Sequence, residues 1–113
     1  MLRRDKYILV GHTPVPKANV SVWADWFETA DRQVARTDIG RTCVSTVFLG
    51  LDHNFCDDGP PLLFETMVFG GEHDQYQERY STWDEAVNGH DRIVKNVMPW
   101  YVRLKRALTG RRD

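Results

Sequence analysis

The sequence predicts an α+β fold, a small antiparallel sheet of three to five strands packed by two or three helices, and three observations carry that expectation. Two β-rich apolar runs, Thr42 to Leu51 and Pro61 to Phe69, flank the polar segment 52–61, DHNFCDDGPP, as a strand, a long loop and a returning strand. Val20, Trp23, Ala24, Phe27 and Ala30 recur at helical spacing. Trp83, Ala86, Val87, His90, Ile93, Val94 and Val97 form a second helical stripe.

Each element follows in chain order. Tyr7 to Val10 reads as a short edge strand, closed by Gly11 and by Pro14 and Pro16, which cannot donate to a ladder. Asn19 is placed to cap a helix over 20–31, and Val22 and Trp26 widen its apolar face, so burial on more than one side, or an aromatic kept for a partner, is expected. Gln33 to Asp38 can form a strand and Ile39-Gly40-Arg41 a turn into the long hairpin. Closing that hairpin symmetrically puts Val47 opposite Thr66 and Leu51 opposite Leu62. One face then carries Ser45, Val47, Leu49, Leu51, Leu62, Phe64 and Val68, and the other Val44, Phe48, Leu63, Glu65, Met67 and Phe69. Both faces are apolar in this register, which predicts cover on both sides, the second by further helices or a second subunit. Gln75 to Tyr80 makes a polar last strand, and Ser81-Thr82 before Asp84-Glu85 opens the second helix in capping-box fashion. Beyond Pro99 a short basic helical segment is expected from Trp100, Tyr101, Leu104 and Leu108.

The chain of 113 residues fits a single domain spanning 1–113 with a core of its own. A net charge of -1 supplies no global field to gather nucleic acid or an acidic membrane. No apolar stretch reaches the length of a signal-peptide core or a membrane span, so a cytoplasmic protein is expected. Cys43 and Cys56 are too few for a disulfide framework and read as reduced thiols. Four Trp, four Tyr and five Phe exceed the needs of a minimal core, which points to an aromatic interface and a homodimer.

The loop residues Asp52, His53, Asn54 and Phe55, with Glu65 below them on the strand, are the candidate ligand-binding residues. A loop of this length exceeds the usual hairpin connection of about 2–5 residues, and long loops tend to be functional. Its oxygen-bearing residues fail the calcium-loop pattern, because Cys56 and Asp57 stand where a ligand and the required glycine belong. Asx-type turns within a solvated connection explain most of its composition. Glu65, in an apolar strand, requires a partner, and Arg36 or Arg41 on the neighbouring strand are the structural choices, with His53 or His12 in a shared pocket the functional ones. His90 reads as a hydrogen-bonded core histidine and His73 as a surface one. Ser45, Cys43, Cys56 and Ser81 lack the contexts that activate a nucleophile, so no catalytic residue, metal site or cofactor is assigned. Arg103, Lys105, Arg106, Arg111 and Arg112 make the C-terminus basic, as befits a helix end more than a phosphate site.

Four segments, WADWFETADRQVA, RTCVSTVFLGLDHNF, PPLLFETMVFGG and YSTWDEA, resemble a family of small uncharacterised proteins of tailed phages and prophages. The resemblance runs from about Thr13 to His90 and is most specific in VSTVFLGLDH at 44–53 and LFETMVFGG at 63–71; Cys56 and the basic C-terminus fall outside it. It implies an accessory protein of a bacterial cytoplasm and carries over no activity or site. The expectation is a binding protein that modulates or sequesters a host or phage component. Its rivals are a small metal-dependent hydrolase using Asp52, His53 and Glu65, and a nucleic-acid binder working through the basic tail.

Overall fold

A computed structural model describes residues 5–56 and 58–99 together with Val102, Leu104, Lys105 and Leu108. Asp57, Trp100, Tyr101, Arg103, Arg106 and the last residues of the basic tail, each assigned a part in the sequence reading, lie outside the described residues. The fold is α+β. Strands β1 (Tyr7–Val10) and β2 (Thr13–Pro16) make one hairpin, helix α1 (Val20–Thr29) follows, and β3 (Gln33–Ile39), β4 (Thr42–Phe48), β5 (Phe64–Phe69) and β6 (Gln77–Tyr80) form an antiparallel meander. Helix α2 (Trp83–Val97) packs across all four strands of the meander.

The sequence does not predict the strand β2, because Pro14 and Pro16 are expected to end the first strand. Tyr7 pairs with Pro16 and Leu9 with Pro14, while Lys17 N donates to Lys6 O at 2.8 Å. Hydrogen-bonded and non-bonded pairs alternate in an antiparallel ladder, so both prolines occupy non-bonded positions where no N–H is needed. Gly11, at φ +63°, supplies the two-residue turn.

Helix α1 starts where the sequence places it, with Asn19 Oδ1 accepting from Val22 N at 3.0 Å. It is shorter than expected and no residue of it is fully buried; Val20 and Val22 lie on the surface, correcting the expectation of burial on several sides. Its half-buried aromatics are spent on anchoring. Trp23 Nε1 donates to Tyr7 O at 3.0 Å and Gly50 O at 3.2 Å, and Trp26 meets Phe48 edge-on at 5.8 Å. Gly50, at φ +78°, lies so close to Phe27 that a Cβ there would stand 2.8 Å from the ring.

The hairpin β4–β5 is one residue out of the symmetric register. Thr46 pairs with Thr66, Val44 with Val68 and Val47 with Glu65. A one-residue slip exchanges the faces of a strand. The inner face therefore carries Val44, Thr46, Phe48, Phe64, Thr66 and Val68, all buried against α2 or the N-terminal hairpin. The outer face carries Cys43, Ser45, Val47, Glu65, Met67 and Phe69, all at least partly exposed. The expected apolar character of both faces fails at this point, since the outer one mixes apolar side chains with charge. α2 keeps its sequence-derived bounds, with Thr82 and Glu85 forming a reciprocal capping box, and buries Ala86, Gly89, His90 and Ile93. No helix among the described residues is long and apolar enough to cross a membrane.

Candidate functional site

The candidate loop follows β4 past Asp5 and Lys6, and its side chains join its two ends. Asp52 Oδ1 accepts from Asn54 N at 2.8 Å and from Leu62 N at 2.9 Å, which joins the two ends of the loop. Asn54 Oδ1 accepts from Cys56 N at 3.0 Å, and its Nδ2 donates to Asp58 O at 2.7 Å and Pro60 O at 3.0 Å. His53 N donates to Leu62 O at 2.9 Å, and Asp52 N to Asp5 O at 3.1 Å, tying the loop to the returning strand and to the N-terminal segment. These are the Asx turns that the composition suggests, extended into a network among the described residues of the connection.

Within that frame Phe55 is exposed and the half-buried His53 lies beside it. His53 Nδ1 lies 2.8 Å from Leu51 O. A carbonyl only accepts, so Nδ1 carries the proton and Nε2 of the neutral ring is an acceptor. The Phe55 ring centroid is 5.9 Å from that of His53, and Phe55 is 45 % exposed. Asp52 and Asn54 shape the loop, while His53 and Phe55 give it a chemical face.

Glu65 does not join them by hydrogen bonding. On the outer face it accepts from Arg79 Nε of β6 at 2.9 Å, which corrects the expected pairing with Arg36 or Arg41. Arg36 is instead 3.4 Å from Asp38 on its own strand. Both pairs stand in or near solvent, where water and salt screen an ion pair and leave it little weight in stability. Among the described residues no group of three His, Cys, Asp or Glu side chains could hold a metal ion. Both cysteines are free thiols.

A second polar constellation, absent from the sequence reading except for His90, crosses the inner face beneath α2. His90 is 3 % exposed; its Nδ1 lies 2.7 Å from Thr46 Oγ1 and its Nε2 2.9 Å from Thr37 Oγ1. Thr46 Oγ1 is 2.5 Å from Thr66 Oγ1, and Tyr80 donates to Thr66 Oγ1 at 3.1 Å. Tyr80 also lies 3.5 Å from Glu78 Oε1. Glu78 is the surface terminus, accepting from Arg92 through both terminal nitrogens, at 2.9 and 2.5 Å, and from the Tyr76 hydroxyl. The bonds to Arg92 hold the Glu78 carboxyl down to about 2 and raise the Arg92 guanidinium above its ordinary value. Burial lowers the His90 imidazole, Asp91 opposing, and burial raises the Tyr80 phenol. The signal for this chain was a threonine at the middle of each apolar triplet, Val44-x-Thr46-x-Phe48 and Phe64-x-Thr66-x-Val68, which aligns only in the correct register.

No family model, curated protein or solved structure matches the chain.

Proposed function

We propose that this chain is a binding protein, not an enzyme, made by a tailed phage or prophage and acting in the bacterial cytoplasm on a host or phage protein through the loop 52–62. The observation that supports this reading is the loop's own hydrogen bonding. Five side-chain bonds, from Asp52 and Asn54, hold the described residues of a long connection before any partner arrives. Preorganisation of this kind lowers the ordering entropy of association. The face it presents, an imidazole acceptor beside an exposed aromatic ring, suits a partner that offers a hydrogen-bond donor next to an apolar edge. A metal-dependent hydrolase built on Asp52, His53 and Glu65 fits less well, since Asp52 is occupied by two backbone amides and Glu65 by Arg79.

The test separates display from scaffolding. A partner recovered with the wild type from a bacterial lysate is purified and titrated by calorimetry. His53→Ala and Phe55→Ala are expected to weaken binding about tenfold or more, the loss typical of interface anchors, with the unfolding midpoint unchanged. Asp52→Ala is expected to behave differently, losing about 1–2 kcal/mol of stability because Leu62 and Asn54 amides lose their acceptor. Equal binding by wild type and both display variants, or ester hydrolysis that both variants abolish, overturns the reading.

The protein is also proposed to be a homodimer through the outer face of the β3–β6 sheet. Val47, Met67, Cys43 and the 48 % exposed Phe69 lie on its two central strands together with Glu65, and the rim on β3 and β6 carries both signs in Arg36, Asp38 and Arg79. A second copy can meet such a rim without a one-sign repulsion. Light scattering at micromolar concentration is expected to give a dimer mass, and Met67→Asp a folded monomer. A wild-type monomer sinks this part of the proposal.

A further inference from the structure

Every strand of the meander contributes to the polar chain under α2. Thr37 comes from β3, Thr46 from β4, Thr66 from β5, Tyr80 and Glu78 from β6, and His90 from the helix. Its hydroxyls can point in either of two concerted directions. In one, Tyr80 donates to Thr66, Thr66 to Thr46 and Thr46 to His90 Nδ1, and His90 Nε2–H donates to Thr37 Oγ1. Each of these contacts lies within 3.1 Å. In the other, His90 Nδ1–H donates to Thr46, Thr46 to Thr66, Thr66 to the Tyr80 oxygen, and Tyr80 to Glu78, whose contact is now the longest at 3.5 Å. The distances favour the first direction for the neutral ring.

An imidazolium has two donors and no acceptor, so it is compatible with the second direction alone. The charge stays on the ring, and the O–H dipoles of successive donors then line up from it toward a carboxylate that stays ionised. We propose that this chain is a proton-coupled switch: protonation of His90 reverses the donors of Thr46, Thr66 and Tyr80 and is registered at the surface as a tightened bond from Tyr80 to Glu78, inside the Glu78–Arg92–Tyr76 cluster. One N–H bond forms, at Nδ1, with a proton supplied by solvent acid; each hydroxyl keeps its own proton and turns it. The groups around the ring allow this. Thr37, Thr46, Thr66 and Tyr80 are neutral, the charged neighbours Arg36 and Asp38 belong to the exposed side of β3, and Asp91 of α2 opposes the effect of burial on the ring.

The sign of the linked pH dependence follows from the lowered imidazole. Between the depressed folded value and the ordinary 6.5 the unfolded chain binds the extra proton. The stability contributed by neutral His90 is therefore fully present above 6.5 and is lost as pH falls through the folded value.

The experiment follows ring nitrogens and the Tyr80 ring by NMR across a pH titration. In the wild type, neutral His90 is expected as the Nε2–H tautomer, and the ring resonances of Tyr80, which stays protonated, are expected to shift with the His90 midpoint. The near-isosteric Thr66→Val and Tyr80→Phe leave both direct partners of His90 in place, yet each is expected to lower its midpoint by about one pH unit, because the imidazolium loses its path to Glu78. Midpoints unmoved in both folded variants, a Tyr80 ring that ignores the His90 titration, or a His90 that stays neutral until acid unfolding overturns the switch.

Discussion

Phe64→Ala is expected to lower the free energy of unfolding by about 4 kcal/mol, and Phe69→Ala, five residues later in the same strand, by about 1 kcal/mol or less. Phe64 is fully buried, with its ring 5.3 Å from Phe48 and 6.2 Å from Trp83 between centroids. Its removal deletes transfer energy and leaves a cavity where the sheet, α2 and the N-terminal hairpin meet. Phe69 points to the outer face and is 48 % exposed. Urea denaturation of the two variants reads the difference directly. The symmetric register would have placed Phe69 beside Val44 and Phe48, both fully buried, so a large loss in Phe69→Ala would argue for that register and against the one described.

Why that register was not legible in the sequence is a matter of how little the two alternatives differ. Each strand of the hairpin carries apolar residues on both faces, so alternation alone leaves the offset open. The offset is set by the loop, where Leu62 is held by Asp52 Oδ1 through its N–H and by His53 N through its carbonyl. Those bonds depend on where the loop folds back, which composition does not state. Elements whose signals are local were legible: the Asn19 cap, the Thr82–Glu85 box and the stripe of α2. β2 was hidden because a proline excludes ladder bonding only on the bonded side of a strand, and sidedness is a tertiary property.

The candidate site divides the same way. Loop length and residue type single out Asp52, His53, Asn54 and Phe55; in the structure Asp52 and Asn54 bond the loop backbone, His53 bonds Leu51 O, and the Phe55 ring lies beside His53. Apolar strand neighbours on its side make Glu65 a candidate in the sequence; in the observed register it sits on the outer face with Arg79 across the ladder. His90 was readable as a core histidine, but its relay was not. The four hydroxyls of the relay stand on four different strands, and only correct pairing brings them into line.

Gly89→Ala is expected to destabilise the protein by about 2 kcal/mol, although alanine is the better helix former by about 1 kcal/mol. Gly89 lies on the buried stripe of α2, and a Cβ there would overlap the ring edge and phenol oxygen of Tyr80. Tyr80 has little room to yield, being 8 % exposed and anchored through its hydroxyl to Thr66. Relief must therefore come from lifting α2 off the sheet, which loosens Ala86 and Ile93 from their contacts and stretches the bonds that His90 makes to Thr37 and Thr46. A double-mutant cycle isolates this cause from any generic effect on the helix. In a Tyr80→Ala background the added methyl meets no ring, so Gly89→Ala should turn neutral or stabilising by up to about 1 kcal/mol, the helix-propensity gain alone. Chemical denaturation of the four proteins measures the reversal, and a Gly89→Ala loss of the same size in both backgrounds would show that helix–sheet contact at Tyr80 is not what requires glycine.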